Sequence, residues 1–180
     1  LIRGDNVIQG KLRWDGVKLW PKDKTHEYKK YQLAENDIVL AMDRTWVKAG
    51  MKFSKITADD LPSLLVQRVA RLRSCDQLNS DFLYYLIGSK FFEAYVLSIQ
   101  TGLGVPHISG KQIRAFSFTL PTLERQKELV AKLNELYGSV EKIKNAYKAK
   151  IENLDELKKS ILQKAFSGEL TNNDSEGAAA

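Results

Sequence analysis

Hydrophobic residues in this chain follow three different spacings. Near the start they come as short runs and alternations. Ile2 to Gly10 reads as a strand with a glycine near each end. Ile38-Val39-Leu40-Ala41-Met42 reads as a short buried strand after a turn over Leu33–Asp37, and Leu64 to Arg73 alternates like a strand with one partly wet face. The stretches between them, residues 10–30 and 44–55, are polar and basic and read as exposed loop or hairpin. Helical spacing follows. Asn79-Ser80-Asp81 caps a helix running to about Ile99, with Phe82, Leu83, Leu86, Ile87, Phe91, Tyr95 and Leu97 on its apolar side. The glycines of Thr101-Gly102-Leu103-Gly104 stop it. Val105–Gly110 is then a turn, Lys111–Phe116 a short helix, and Phe116–Leu120 a closing strand.

The third spacing is a narrow seam with alternating steps of four and three. It comprises Leu129, Leu133, Leu136, Val140, Ile143, Tyr147, Lys150, Leu154, Leu157 and Ile161, with Lys150 the one polar member. Residues between them are mostly Glu, Lys, Asn and Asp. So thin a stripe gives an isolated helix little to bury, so it predicts a second helix lying along it. No other heptad run exists in the sequence; the partner is a second copy or a missing piece of the parent protein. A helix packed on its own globular domain is the plainer alternative, but calls for a broader stripe. The helix spans about Pro121 to Phe166, on the order of 65 Å at ~1.5 Å per residue. Pro121 suits its first turn and Gly168 its end. The tail Thr171–Ala180 is small, polar and predicted to be disordered.

Charge separates the chain into two parts. Residues 1–120 hold 18 Lys and Arg against 12 Asp and Glu, whereas residues 121–180 hold 10 of each, so the net charge of +6 belongs to the first part. A basic globular part with a neutral helical arm fits a polyanion reader joined to a protein-binding element. The single cysteine, Cys75, has no internal partner, which fits a reducing cytoplasm, and reads as a small, partly buried side chain. No run approaches a membrane span, and the N-terminal residues do not form a signal peptide. The chain begins with Leu1 rather than Met, as a fragment would.

Two basic clusters contain aromatic residues: Arg13, Trp14, Lys18, Lys22, Lys24, Lys29 and Lys30, and then Arg44, Trp46, Lys48 and Lys52. Lysine and arginine neutralise phosphates, and an arginine fork pairs with the guanine edge. For any single lysine, solvation without contact is the simpler reading; for the tryptophans, local packing is. Thr101-Gly102-Leu103-Gly104 lacks a following Gly-Lys-Ser/Thr and is no P-loop. Two readings of it stay open: close backbone approach to DNA, with Thr101, Gly102 and His107 as contacts, or a helix stop and turn. His26 and His107 have no third ligand at metal spacing, so no metal site is expected.

Several segments carry a family resemblance. Leu157-Lys158-Lys159-Ser160-Ile161-Leu162-Gln163-Lys164-Ala165-Phe166-Ser167-Gly168-Glu169-Leu170 resembles the end of the conserved helix in specificity subunits of type I restriction–modification systems. Phe118-Thr119-Leu120-Pro121-Thr122-Leu123-Glu124-Arg125-Gln126 resembles the approach to that helix. Gln67-Arg68-Val69-Ala70-Arg71-Leu72 and Thr101-Gly102-Leu103-Gly104-Val105-Pro106-His107-Ile108-Ser109 resemble parts of the family's target recognition domain. The resemblance implies an α+β fold: a mixed recognition domain over 1–120, one long helix over 121–167 that forms an antiparallel coiled coil with a partner helix, and a tail over 168–180. It further implies a C-terminal half or half-length subunit, since full-length members hold two recognition domains and two helices.

By the same resemblance the chain is a non-catalytic DNA-specificity subunit that works in the cytoplasm. Its expected partners are double-stranded DNA, methyltransferase subunits, a restriction subunit, and a second copy or the missing half. S-adenosylmethionine and ATP belong to the other subunits, and no cofactor is expected on this chain. The basic clusters, with Thr101, Gly102 and His107, become the expected DNA surface. The sequence has no Asn-Pro-Pro-aromatic tetrapeptide and no glycine-rich cofactor fingerprint. Glu156-Leu157-Lys158 mimics part of a nuclease site, but Leu157 belongs to the seam and no Pro-Asp precedes it suitably. A coiled-coil dimeric transcription regulator is the alternative reading.

Overall fold

A computed structural model describes residues 1–102 and 104–169. The chain divides into two compact units, Leu1–Val130 and Ala131–Ala180. The first is built on a three-stranded antiparallel sheet ordered β4-β1-β5, in which β1 is Ile38–Ala41, β4 Phe53–Lys55 and β5 Val69–Leu72. Strand β1 occupies the centre, pairing Leu40 with Phe53 on one side and with Ala70 on the other. All four of its residues are buried, as a central strand covered on both faces requires.

The two-residue side-chain period distributes β1 between two cores. Ile38 and Leu40 enter a cluster with Met51, Leu83, Ile87, Phe92, Val96 and Ile108, while Val39 and Ala41 enter one with Ile2, Val7, Leu33, Ile56 and Val69. Two helices, α1 (Ser80–Ile87) and α2 (Lys90–Ile99), supply the apolar side of the first cluster. A two-stranded hairpin, β2 (Trp46–Val47) with β3 (Gly50–Met51), and a short helix α3 (Gly110–Ala115) complete this unit with the first turns of the long helix α4 (Leu123–Phe166).

Asp37, at the start of β1, is buried and accepts two hydrogen bonds from Arg73, at 2.6 and 2.7 Å, and one from the Ala34 amide at 2.8 Å. The hydrogen bond to Asp37 holds the Arg73 guanidinium above arginine's ordinary pKa. Gln126, fully buried in the first turns of α4, accepts from the Asn79 amide at 2.8 Å and donates to the carbonyls of Gln77 (2.9 Å) and Pro121 (2.8 Å). The polar end of the motif Glu124-Arg125-Gln126 therefore staples the start of the long helix to the cap of α1.

The second unit begins at Ala131 and carries the rest of α4, which is continuous over 44 residues. It ends as a glycine permits. Gly168 takes φ +78°, its amide donates to the Ala165 carbonyl, and Glu169 donates to the Lys164 carbonyl, the paired bonds of a Schellman cap.

Local corrections to the pattern reading have identifiable causes. Ile2–Gly10 is not one strand: a turn closed by Asn6 onto Arg3 interrupts it, leaving single bridges at Ile2, Val7 and Gln9. Within the basic stretch 10–30, a 3-10 helix over Lys22–Tyr31 replaces the expected loop or hairpin. The strand expected over Leu64–Arg73 is cut in two: Leu64 and Leu65 make single bridges and β5 starts at Val69, because Arg68 takes φ +66° and breaks the extension. The helix expected to reach Ile99 is two, since Ser89 accepts from the Phe92 amide and caps a fresh start after Gly88. Phe116–Leu120 forms no strand, and Pro121 precedes rather than begins α4, where the Thr122 carbonyl accepts the Gln126 amide. Cys75 is exposed, not partly buried. The expected tail beyond Glu169, and Leu103, lie outside the described residues.

Candidate nucleic-acid interface

Loops at one end of the central sheet meet where β1 finishes and β5 begins. The Met42 amide donates to the Arg68 carbonyl (2.9 Å), Arg44 to Pro106 (2.7 Å) and Ile108 to Met42 (2.9 Å). Thr101 and His107 exchange backbone hydrogen bonds at 3.0 and 2.8 Å, and His107 also bridges to Asp43. The Lys52 amide donates to Thr45 (2.7 Å), and the Ala41 amide to Lys52 (3.0 Å). This lacing gathers residues far apart in sequence around an open cleft of about 630 Å³.

Five basic side chains line that cleft: Arg3, Lys18, Arg44, Lys52 and Arg68, with Asp5 and Asp43 among them. Arg68 pairs with Asp43 at 3.4 Å, with both side chains open to solvent. Arg13 lies beside them, its guanidinium donating to the Asp5 carbonyl at 2.9 Å. Lys52 is half-buried. Burial pulls its ammonium below lysine's ordinary pKa of 10.5; Arg44 and Arg13 push the same way, while Asp5 and Asp43 oppose them. Such excess positive charge, held with too few carboxylates, attracts a polyanion. Arg44 and Arg68 both adopt left-handed backbone, at φ +47° and +66°, which for non-glycine residues is uncommon and held by surrounding structure.

The loop 101–107 borders the cleft through Val105. Gly102 is obligatory there. It takes φ +104°, and a Cβ would stand 2.5 Å from the Val105 carbonyl oxygen. His107 turns one ring nitrogen to the Val105 carbonyl (3.2 Å) and the other to the Thr101 hydroxyl (3.3 Å). Its imidazole thus holds the loop, and the exposed Thr101 stands at the edge.

The remaining residues singled out from the sequence lie elsewhere. Lys22, Lys24, Lys29 and Lys30 project from the 3-10 helix and are exposed, with Lys30 over the Tyr31 ring at 4.9 Å. Trp20 packs edge-on against Tyr28 at 5.4 Å. Lys48 sits at the exposed turn of the β2–β3 hairpin, and Trp14 and Trp46 are partly open to solvent. Arg3 and Arg68 line the cleft although neither belongs to the two basic clusters of the sequence. The left-handed backbone that aims Arg68 leaves no trace in an alternating pattern. Among the described residues no group of three or more His, Cys, Asp or Glu could hold a metal ion, and no helix is long and apolar enough to cross a membrane.

On the second unit the seam is open. Leu136, Val140, Ile143, Tyr147, Leu154, Leu157 and Ile161 are between 48% and 63% exposed, and Ile151 beside them is 60% exposed. Leu129 and Leu133 are half-buried. Lys150 turns its ammonium over the Tyr147 ring, 5.8 Å from the centroid.

Residues 8–153 match the profile of the Type I restriction modification DNA specificity domain. The chain belongs to that family. This specificity-domain chain is 36% identical over 147 residues to the type I restriction enzyme EcoAI specificity subunit of Escherichia coli, a match covering 80% of the chain and 24% of that protein. It is 30% identical over 170 residues to the MjaVIII specificity subunit of Methanocaldococcus jannaschii, covering 94% and 39% respectively. The specificity-domain chain thus spans a quarter to two fifths of the length of these relatives. Its fold resembles a chain from a structural study of complex assembly and conformational transition in the type I restriction–modification system. That match has a TM-score of 0.61 at 23% identity and covers 76% of this chain and 32% of the other.

Proposed function

We propose that the chain is a non-catalytic specificity module that reads one half of a two-part duplex DNA target for a type I restriction–modification enzyme in the cytoplasm. The basic cleft at the end of the central sheet is the reading surface. Arg44 and Arg68 are the side chains suited to base edges, because an arginine fork can pair bidentately with guanine. Lys18, Lys52 and the lysines of the 3-10 helix are suited to phosphates. The α4 seam takes a partner helix, fixing the distance to a second reader, and methyltransferase subunits dock on the assembled pair. The observation that carries this reading is the convergence of five basic side chains on one cleft in a member of a DNA-specificity family.

Salt dependence tests it. Binding of the full chain to duplex DNA should weaken steeply as salt rises, with a logarithmic slope of about 0.9 per phosphate contacted. Replacing Lys22, Lys24, Lys29 and Lys30 with Gln should flatten the slope by up to about four such units. An unchanged slope would remove the 3-10 helix from the DNA surface, and binding indifferent to salt would remove the proposal.

A further inference from the structure

Two arginine–aspartate pairs in the first unit differ in geometry. Asp37 and Arg73 form a closed pair: the carboxylate is 1% exposed and takes two guanidinium hydrogen bonds, at 2.6 and 2.7 Å. Both of its oxygens are engaged, and the pair holds the fold. Asp43 and Arg68, in the basic cleft, form an open pair. One carboxylate oxygen stands 3.4 Å from a guanidinium nitrogen, longer than a charge-assisted hydrogen bond, and the side chains are 35% and 58% exposed. The backbone beneath them is fixed. The Met42 amide donates to the Arg68 carbonyl at 2.9 Å, and Asp43 bridges to His107. A charged acceptor and a charged donor therefore stand side by side on anchored backbone, with their polar atoms open to a ligand.

A carboxylate in this cleft repels phosphate, so on duplex DNA it gains only from a donor on a base edge. In the major groove those donors are the N4 amino group of cytosine and the N6 amino group of adenine. Adenine sets its N7 acceptor beside N6, where it repels a carboxylate, and cytosine presents no such acceptor. Across a C·G pair, guanine offers O6 and N7, the two acceptors that an arginine fork fits. We infer that Asp43 and Arg68 together read one C·G pair, the carboxylate accepting from cytosine N4 and the guanidinium donating to guanine O6 and N7. The inference rests on the cleft being the DNA-reading surface, and deepens that reading by naming a base pair and giving an acid a part in specificity. The long contact between the two side chains is easily exchanged for the base edges, because both are already solvated.

Selection from a randomised duplex library tests the inference, with the full chain as wild type, Asp43→Ala, Asp43→Asn and Arg68→Ala, and base frequencies read position by position. Wild type should prefer C·G over A·T at one position on the order of ten-fold. Asp43→Ala and Arg68→Ala should both blunt that same position. Asp43→Ala should also bind unrelated duplex more tightly than wild type, because one negative charge leaves the cleft. Asp43→Asn should turn the position towards A·T, with adenine in cytosine's place, since an asparagine amide pairs with adenine N6 and N7. Asp43→Asn is close to isosteric with wild type, and equal thermal melting of the two checks that the fold is kept. If both Asp43 variants weaken all duplexes alike and select the wild-type sequence, Asp43 only steadies the cleft; the inference is then overturned and the reading surface stands. If wild type selects no sequence, the reading surface is overturned as well.

Discussion

The two basic surfaces of the first unit are built in opposite ways. The 3-10 helix presents Lys22, Lys24, Lys29 and Lys30 on exposed stems, and no residue of that helix is buried. The cleft holds Arg3, Lys18, Arg44, Lys52 and Arg68 among fixed backbone loops; two of its arginines sit in left-handed conformations, and its central lysine is half-buried. A mobile lysine can follow any phosphate, since every sequence has one at the same spacing. Reading bases needs donors fixed in direction, and fixing them costs strain and desolvation of the kind the cleft arginines and Lys52 carry and the 3-10 helix lysines do not. On the proposed function, the exposed lysines would supply general affinity and the cleft sequence discrimination.

The sharpest way to break it is to truncate the fixed arginines. Arg44→Ala together with Arg68→Ala should cost roughly 1–3 kcal/mol per base contact, on the order of ten- to a hundred-fold in affinity for each. Preference for the target over unrelated duplex should fall as well. The lysine variants of the 3-10 helix should weaken target and non-target DNA alike. Competition binding with the two DNAs checks this, and equal loss of preference in both sets of variants would erase the distinction.

A smaller effect is expected from the loop that borders the cleft. Gly102→Ala forces a side chain into left-handed backbone and against the Val105 carbonyl, and should cost about 1–3 kcal/mol of local strain. The strain can relax only by moving the 101–107 loop. Thermal melting should therefore shift by a few degrees while DNA affinity drops several-fold. A variant that melts lower yet binds normally would show that the loop is a turn and nothing more.

Parts of this arrangement were open to inspection in the sequence, and their physics explains which. Strand β1 was visible because four consecutive apolar residues, Ile38–Ala41, suit a strand covered on both faces. The long helix was visible because its seam repeats for over thirty residues. The break at Gly88-Ser89 was hidden, since apolar residues continue at helical spacing on either side of it. Strands as short as Trp46–Val47 and Gly50–Met51 hold no period to detect. Gathering of the cleft was hidden for a different reason: it depends on backbone hydrogen bonds from Met42 to Arg68 and from Arg44 to Pro106, which no local pattern encodes. Composition could mark Arg44 and Lys52 as basic, but not place them beside Arg3 and Arg68. The lysines of the 3-10 helix stand out in the sequence because they fall within nine residues of one another, which is a property of the chain and not of the surface.

The finest test of the comparison concerns protons. Burial depresses the free Lys52 ammonium, with Arg44 and Arg13 adding to the effect, so part of its population loses charge at a pH below lysine's ordinary 10.5. A phosphate placed against it favours the charged form and raises its pKa in the complex. Binding therefore takes up a fraction of a proton. Affinity is full while Lys52 is charged in the free chain, and falls as pH rises from the depressed free value towards the higher bound one. Lys52→Arg keeps the charge throughout that range and should abolish this part of the pH dependence with little change in affinity at neutral pH. Lys29→Arg, on the exposed 3-10 helix, should leave the profile as it was. If wild type and Lys52→Arg lose affinity in parallel on the alkaline side, Lys52 does not face phosphate, and the cleft loses its claim to differ from the exposed lysines in kind.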